Sequence, residues 1–136
     1  MSNKFDKIDF QRLERVHPLL FDLALRVVIH WPCRVVYGLR TYEEQVRLYN
    51  EGLSKTINSL HLPQEDGFAH AIDLAPKPID WNNQKKFYYF AGRVDAIARD
   101  NLPQGWRLRW GGNWDMDFDL DDQKFMDLVH FELRRV

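Results

Sequence analysis

Two short runs of alternating residues constrain this chain more than any other feature. Residues 69–74 read as a strand in which Ala69, Ala71 and Asp73 share one face, while His70 and Ile72 take the other. Residues 130–134 read as a second strand, with His130, Glu132 and Arg134 on one face and Phe131 and Leu133 filling a core on the other. Each strand therefore carries a group able to hold a metal ion. The alanines beside Asp73 leave room for one. His61, in Ser59-Leu-His61, offers a second imidazole, and strand parity makes it a better partner for Asp73 than His70. Two imidazoles and one carboxylate suit a zinc ion that keeps a fourth position open for water, which is a hydrolase's ligand set.

Helices and other short strands surround these runs. Residues 9–29 read as an amphipathic helix, since Leu13, Val16, Leu20, Leu23 and Val27 recur at spacings of three and four. Pro18 suits a first turn better than an interior, which favours a start near His17, and Pro32 stops the helix. Residues 34–38 read as a strand. Thr41 with Glu44 forms a capping-box pattern that opens a helix through Asn50, and Gly52 is its C′ residue. Residues 53–68 read as a long loop. A second long helix starts at Asp80 or Asn82 and runs to about Asp100, followed by a strand at 107–110. An acidic loop at 113–122 and a turn or short helix at 123–128 complete the pattern. Mixed elements without a regular βαβ rhythm favour an α+β fold.

Composition narrows the function classes. The 136 residues are 45% hydrophobic and 14% aromatic, enough for one folded domain over 1–136 with a sizeable core. A formal charge of −1, with no basic stripe, gives no footprint for nucleic acid or a membrane surface. The apolar stretch at 18–31 is interrupted by Asp22, Arg26 and His30, so no membrane insertion is expected. The first residues lack an apolar signal core, which implies synthesis in the cytoplasm without a signal peptide. Cys33 stands alone in an apolar run and reads as a buried thiol. A monomer is expected.

Other residues carry two readings each. Asp127, three residues before His130, is placed to act as general base on a metal-bound water. Arg40 could bind a substrate carboxylate or steady an oxyanion; the bland alternative is a surface ion pair with Glu43 or Glu44. Ser59 could hydrogen-bond substrate or a ligand imidazole, or be an ordinary loop serine. The acidic run from Asp115 to Asp122 lacks the glycine and glutamate of a calcium loop and reads as solvated. His17 and His30 read as capping or packing residues. Most aromatic residues belong to the core, with Trp110 or Trp114 a candidate to line a cleft.

Several ordered landmarks resemble a known family. They are Gly38-Leu-Arg40-Thr-Tyr-Glu-Glu-Gln45, Ser59-x-His61, Gly67-x-Ala-x-Ala-Ile-Asp73-Leu-Ala-Pro, Ile79-Asp80-Trp81, Phe87-Tyr-Tyr-Phe90, Arg109-Trp110-Gly-Gly-Asn-Trp114-Asp and Asp127-x-x-His130-Phe-Glu-Leu. Over about residues 36–134 the chain resembles the zinc D-Ala-D-Ala carboxypeptidase and L-alanyl-D-glutamate endopeptidase family, most closely the phage endolysins. The resemblance implies a small antiparallel sheet packed with helices, as in the Hedgehog and DD-peptidase folds. It further implies zinc on His61, Asp73 and His130, Asp127 as catalytic acid/base, and Arg40 and Ser59 near the substrate. The implied substrate is a peptidoglycan stem peptide, met when the enzyme is released to the bacterial cell wall. Three activities fit: L-alanyl-D-glutamate endopeptidase, D-Ala-D-Ala carboxypeptidase or dipeptidase, and a non-catalytic zinc-containing module that binds wall or partner. One departure stands out. The family spaces its histidine and aspartate seven residues apart, whereas His61 and Asp73 are twelve apart. Residues 62–68 therefore read as holding an insertion of about five. In strict register Asp66 would replace the histidine and leave His61 without a role.

Overall fold

The computed structural model describes residues 3–113, 116 and 127–136. In chain order the elements are α1 (Lys7–Leu13), α2 (Pro18–His30), β1 (Cys33–Tyr37), α3 (Tyr42–Asn50), β2 (Ala71–Pro76), α4 (Gln84–Asn101), β3 (Trp106–Gly111) and β4 (Asp127–Arg135). The strands form one antiparallel sheet in the order β1-β2-β4-β3, so the fold is α+β as the mixed pattern implies. The acidic loop expected at 113–122 lies outside the described residues except for Asn113 and Met116. Trp114 and residues 123–126 lie outside them too.

Strand alternation divides the sheet into two faces with different tasks. Ile72, Leu74, Phe131 and Leu133 are almost fully buried on the face that meets α2 and α4. From α2 come Leu20, Leu23 and Val27; from α4 come Phe90, Val94 and Ala98. Burying large side chains of this kind contributes on the order of 1.5–3 kcal/mol each. Cys33 is buried in this core, and burial pushes its thiol pKa up to about 12. It is a packing group with no thiolate to offer at neutral pH.

The first amphipathic stretch is two helices rather than one over 9–29. Arg15 adopts a left-handed backbone with φ 61°, and Pro18 occupies the first position of α2. His17 Nδ1 accepts the Leu19 N–H at 3.0 Å and caps the new start. Pro18 has no N–H for an i→i−4 bond, so a continuous helix would break there. The apolar stripe survives the break, because Leu13, Val16, Leu20, Leu23 and Val27 are all buried. The capping box at Thr41 and Glu44 forms as its spacing implies, and Gly52 follows the C-cap with φ 76°. α4 begins later than Asp80 or Asn82: Asp80 Oδ1 instead accepts the Asn82 N–H in a turn, and Asn83 caps the helix.

α1 closes an exposed edge. β1 is one of the two outer strands of the sheet, and outer strands present unpaired backbone groups. Buried Asp9 accepts the Val35 N–H at 3.0 Å, and Arg12 donates to the Val35 carbonyl at 2.9 Å. The end of α1 also presses on the exit of β1, where a Cβ on Gly38 would collide with the Arg12 carbonyl. Gly38→Ala should therefore destabilise the protein by about 1–3 kcal/mol, the usual cost of overpacking. Gly92→Ala, in an open stretch of α4, should stabilise it by about 0.5–1 kcal/mol through helix propensity. Urea unfolding midpoints check both; equal shifts of the same sign would show that the Gly38 contact carries no load.

Candidate active site

The opposite face of the sheet gathers polar groups. Asp73 and His130 are direct partners across the β2–β4 ladder. His61 comes from the loop before β2 and meets both of them. Its Nε2 lies 3.1 Å from Asp73 Oδ1 and 3.2 Å from His130 Nδ1, while His130 Nδ1 lies 3.3 Å from Asp73 Oδ1. All three residues are buried.

Hydrogen bonding at the far side of each ring fixes what faces inward. His61 Nδ1 is 2.8 Å from the Gly38 carbonyl oxygen, which can only accept, so Nδ1 carries the proton. His130 Nε2 is 2.8 Å from Glu132 Oε1 and likewise donates. In neutral rings the inward nitrogens are then bare, and three lone-pair-bearing atoms converge on one point. Such a triangle can be bridged by a cation. Bonds of about 2.0–2.1 Å in a tetrahedral arrangement separate ligand atoms by about 3.3 Å. The three observed distances match that spacing, and the group could hold a metal ion. Electrostatics agree. Burial raises the Asp73 pKa, but His61 and His130 outweigh it and hold the carboxyl far below the ordinary range. Burial lowers the His130 pKa, but Asp73 and Glu132 reverse this and raise it to about 9. The cluster favours positive charge at its centre.

The long His61-to-Asp73 interval closes on itself. The His70 N–H donates to the Leu60 carbonyl at 2.8 Å, so the chain returns at 70 to where it left at 60. Between them, Gln64 and Gly67 tighten a turn through Gln64 N–H to Phe68 O and Gly67 N–H to Gln64 O, with Gly67 at φ 82°. Ser59 Oγ accepts the His61 N–H at 3.1 Å, and the His61 carbonyl accepts the Arg40 N–H at 2.9 Å. His61 is thus held by its main chain on both sides and by its ring at Gly38.

Asp127 and Arg40 flank the cluster. The β3–β4 register jumps from Trp110↔Phe131 to Gly111↔Asp127, so β4 is irregular over 128–130. In a regular strand Asp127 and His130 would point to opposite faces; the irregularity removes that restriction. A Cβ on Gly111 would collide with the Asp127 main chain, so glycine permits this approach. Burial, then the Asp73 charge, raise the Asp127 pKa against the pull of His130, His61 and Arg40. Arg40 places Nη2 3.7 Å from Asp73 Oδ2, gives Nη1 to Gln45 Oε1 at 3.1 Å, and lies 4.5 Å from the Tyr37 ring centre. Gln45 is fully buried and donates to Ser54 Oγ and the Thr56 carbonyl. Trp110 lies with Leu108 on the side of the sheet facing α4. It meets Tyr88 edge-on and donates its indole N–H to the Leu128 carbonyl at 2.8 Å.

The family model described as phage L-alanyl-D-glutamate peptidase matches residues 1–134. The chain belongs to this peptidase family. A crystal structure of the Serratia marcescens L-Ala D-Glu endopeptidase ChiX superposes with a TM-score of 0.74 at 25% identity, covering 97% of this chain and 91% of that one. No curated protein matches the sequence.

In this member of the family, sequence reasoning overlooked three supports: the Gly38 carbonyl, the buried Gln45, and Glu132 as partner of His130. Only Glu132 left a signal, by sharing a strand face with His130. His70 and Asp66 form a separate cluster with His17. His70 Nε2 lies 2.7 Å from Asp66 Oδ2, and His17 Nε2 lies 3.9 Å from the same oxygen. Because His17 Nδ1 accepts from Leu19, its neutral ring bears hydrogen on Nε2 and offers no lone pair there. This cluster is a latch, which Arg15 extends by donating to the Gly67 carbonyl at 2.8 Å.

Two predictions follow from these clusters. His61→Ala, Asp73→Ala and His130→Ala should each abolish stoichiometric metal binding, whereas Asp66→Ala should retain it; metal analysis after dialysis separates them. Unchanged metal affinity in His61→Ala would remove it from the ligand set. Burial and the neighbouring His70 hold the folded-state pKa of His17 below its ordinary 6.5. The neutral ring's contribution to stability is therefore complete above pH 6.5 and is lost as pH falls below it. His17→Asn keeps a capping acceptor without titrating, so it should flatten the decline in melting temperature from pH 7 to about pH 5. An unchanged slope would overturn this.

Proposed function

We propose that this protein is a zinc-dependent peptidoglycan peptidase that cleaves the L-Ala–D-Glu bond of stem peptides and acts as an endolysin. The observation that carries the reading is the convergence of His61 Nε2, Asp73 Oδ1 and His130 Nδ1 within 3.3 Å of one another in a buried cluster. The family description and the printed function of the Serratia enzyme support the choice of bond.

His61, Asp73 and His130 would hold the ion. Zinc bound there supplies a Lewis acid that acidifies water and polarises a carbonyl. The protein's own groups do the rest. Asp127 takes the proton of the attacking water and delivers it to the leaving amine, and its raised pKa brings it nearer to that shuttling role at neutral pH. Arg40, with its charge fixed beside Asp73 and Tyr37, steadies the oxyanion or orients a substrate carboxylate. Ser59 shapes the turn that presents His61. Trp110 serves the site by holding the Leu128 carbonyl. No helix among the described residues is long and apolar enough to cross a membrane. The chain would act on the wall after release, as a monomer of one domain.

Purified protein incubated with peptidoglycan, with and without a chelator, tests the reading. New amino termini on D-Glu, lost on chelation, are expected. Released D-Ala would favour the carboxypeptidase, and no fragments at full zinc occupancy would overturn both enzymatic readings. Asp127→Asn should keep one metal per chain while kcat falls by about 10²–10⁴. Near-normal turnover in that variant would remove Asp127 as the proton carrier.

A further inference from the structure

The two imidazoles of the cluster are oriented by unlike partners. His61 gives its outer N–H to a neutral backbone carbonyl, at Gly38. His130 gives its own to a carboxylate, at Glu132 Oε1. Glu132 is 4% exposed, and a buried carboxylate is costly unless its oxygens are occupied. Here the two oxygens divide the work. Oε1 takes His130, while Oε2 takes Arg109 twice, from Nη2 at 2.7 Å and Nε at 3.1 Å, with Arg134 Nη1 at 3.5 Å.

We propose that Glu132, clamped by Arg109, is a positioning residue that sets the metal affinity of the site by fixing the ring of His130. Backbone geometry makes the relay rigid. Glu132 stands two residues from His130 on one strand face, and Arg109 is its direct cross-strand partner in β3. The ring of His130 can then neither flip nor tilt without breaking a charge-assisted hydrogen bond. With Nε2–H committed to Glu132, Nδ1 is the nitrogen left to ligate, and the adjacent negative charge makes it a stronger donor. An ordinary structural ion pair would need only Arg109 and Glu132; the 2.8 Å bond to a ligand imidazole extends it to the metal.

This inference rests on the metal reading, and the test separates the two. Zinc affinity is measured by chelator competition for wild type, Glu132→Gln, Glu132→Ala and Arg109→Ala, alongside the melting temperature of each metal-free protein. Glu132→Ala should weaken zinc binding about 10- to 100-fold at unchanged stoichiometry. Glu132→Gln keeps an acceptor without the charge, so it should fall between Glu132→Ala and wild type. Arg109→Ala should show a smaller loss in the same direction. Glu132→Gln retains the side chain's shape and answers the question even where the alanine variants fold poorly. Zinc affinities of all variants within twofold of wild type, with only the melting temperatures lowered, would overturn the proposal and leave a structural ion pair. A wild-type protein that binds no zinc would overturn the metal reading, and this one with it.

Discussion

Asp73 and His130 face each other across the β2–β4 ladder, and most of the surrounding structure serves that pairing. Directly opposed residues of antiparallel strands hold their Cβ atoms about 4.5–5.5 Å apart, close enough for a carboxylate oxygen and a ring nitrogen to share one ion. Two of the candidate ligands thus come from the stiffest part of the fold. The third has to come from a loop, and the loop is stiffened accordingly. The Leu60–His70 and Arg40–His61 main-chain bonds fix both ends of the segment bearing His61. The turn between them adds length without moving His61. An insertion here is therefore tolerable where a shift of one residue in β2 would not be, since that shift would turn Asp73 into the core.

Polar groups this dense are a burden on stability. Asp73, His130, Glu132, Gln45 and His61 are all buried, and each costs desolvation free energy that only specific partners offset. The sheet resolves this by segregation. Its other face holds Ile72, Leu74, Phe131 and Leu133 against two helices, so the same strands carry both the core and the site. Residues that alternate along β4 show the division most sharply: Phe131 and Leu133 anchor the strand, which then holds His130 and Glu132 in place.

Much of this was legible in the residues because it is local. Strand parity separates His70 from Asp73, and the Thr41–Glu44 spacing marks the start of α3. What was not legible depends on contacts distant in sequence. Pro18 marks the start of α2 locally, but the contacts that His17 makes with Ala69 and Asp66 across the fold leave no trace in helix periodicity. The irregular register of β4 depends on a close approach to Gly111 that no local pattern announces. The support of His61 by the Gly38 carbonyl leaves no side-chain signature at all.

That last contact changes which part of the chain belongs to the site. The ordered landmarks begin near residue 36, yet the family match extends to residue 1. α1 satisfies the outer backbone groups of β1 through Asp9 and Arg12, and the carbonyl of Arg12 fixes how closely Gly38 can approach. Gly38 in turn holds the outer nitrogen of His61, and so selects which nitrogen faces the other ligands. A helix that contributes no side chain to the cluster thereby bears on the tautomer of His61. The two histidines consequently respond to different parts of the protein, His61 to the packing of the N-terminal helix on an edge strand, and His130 to a charged relay across β3 and β4.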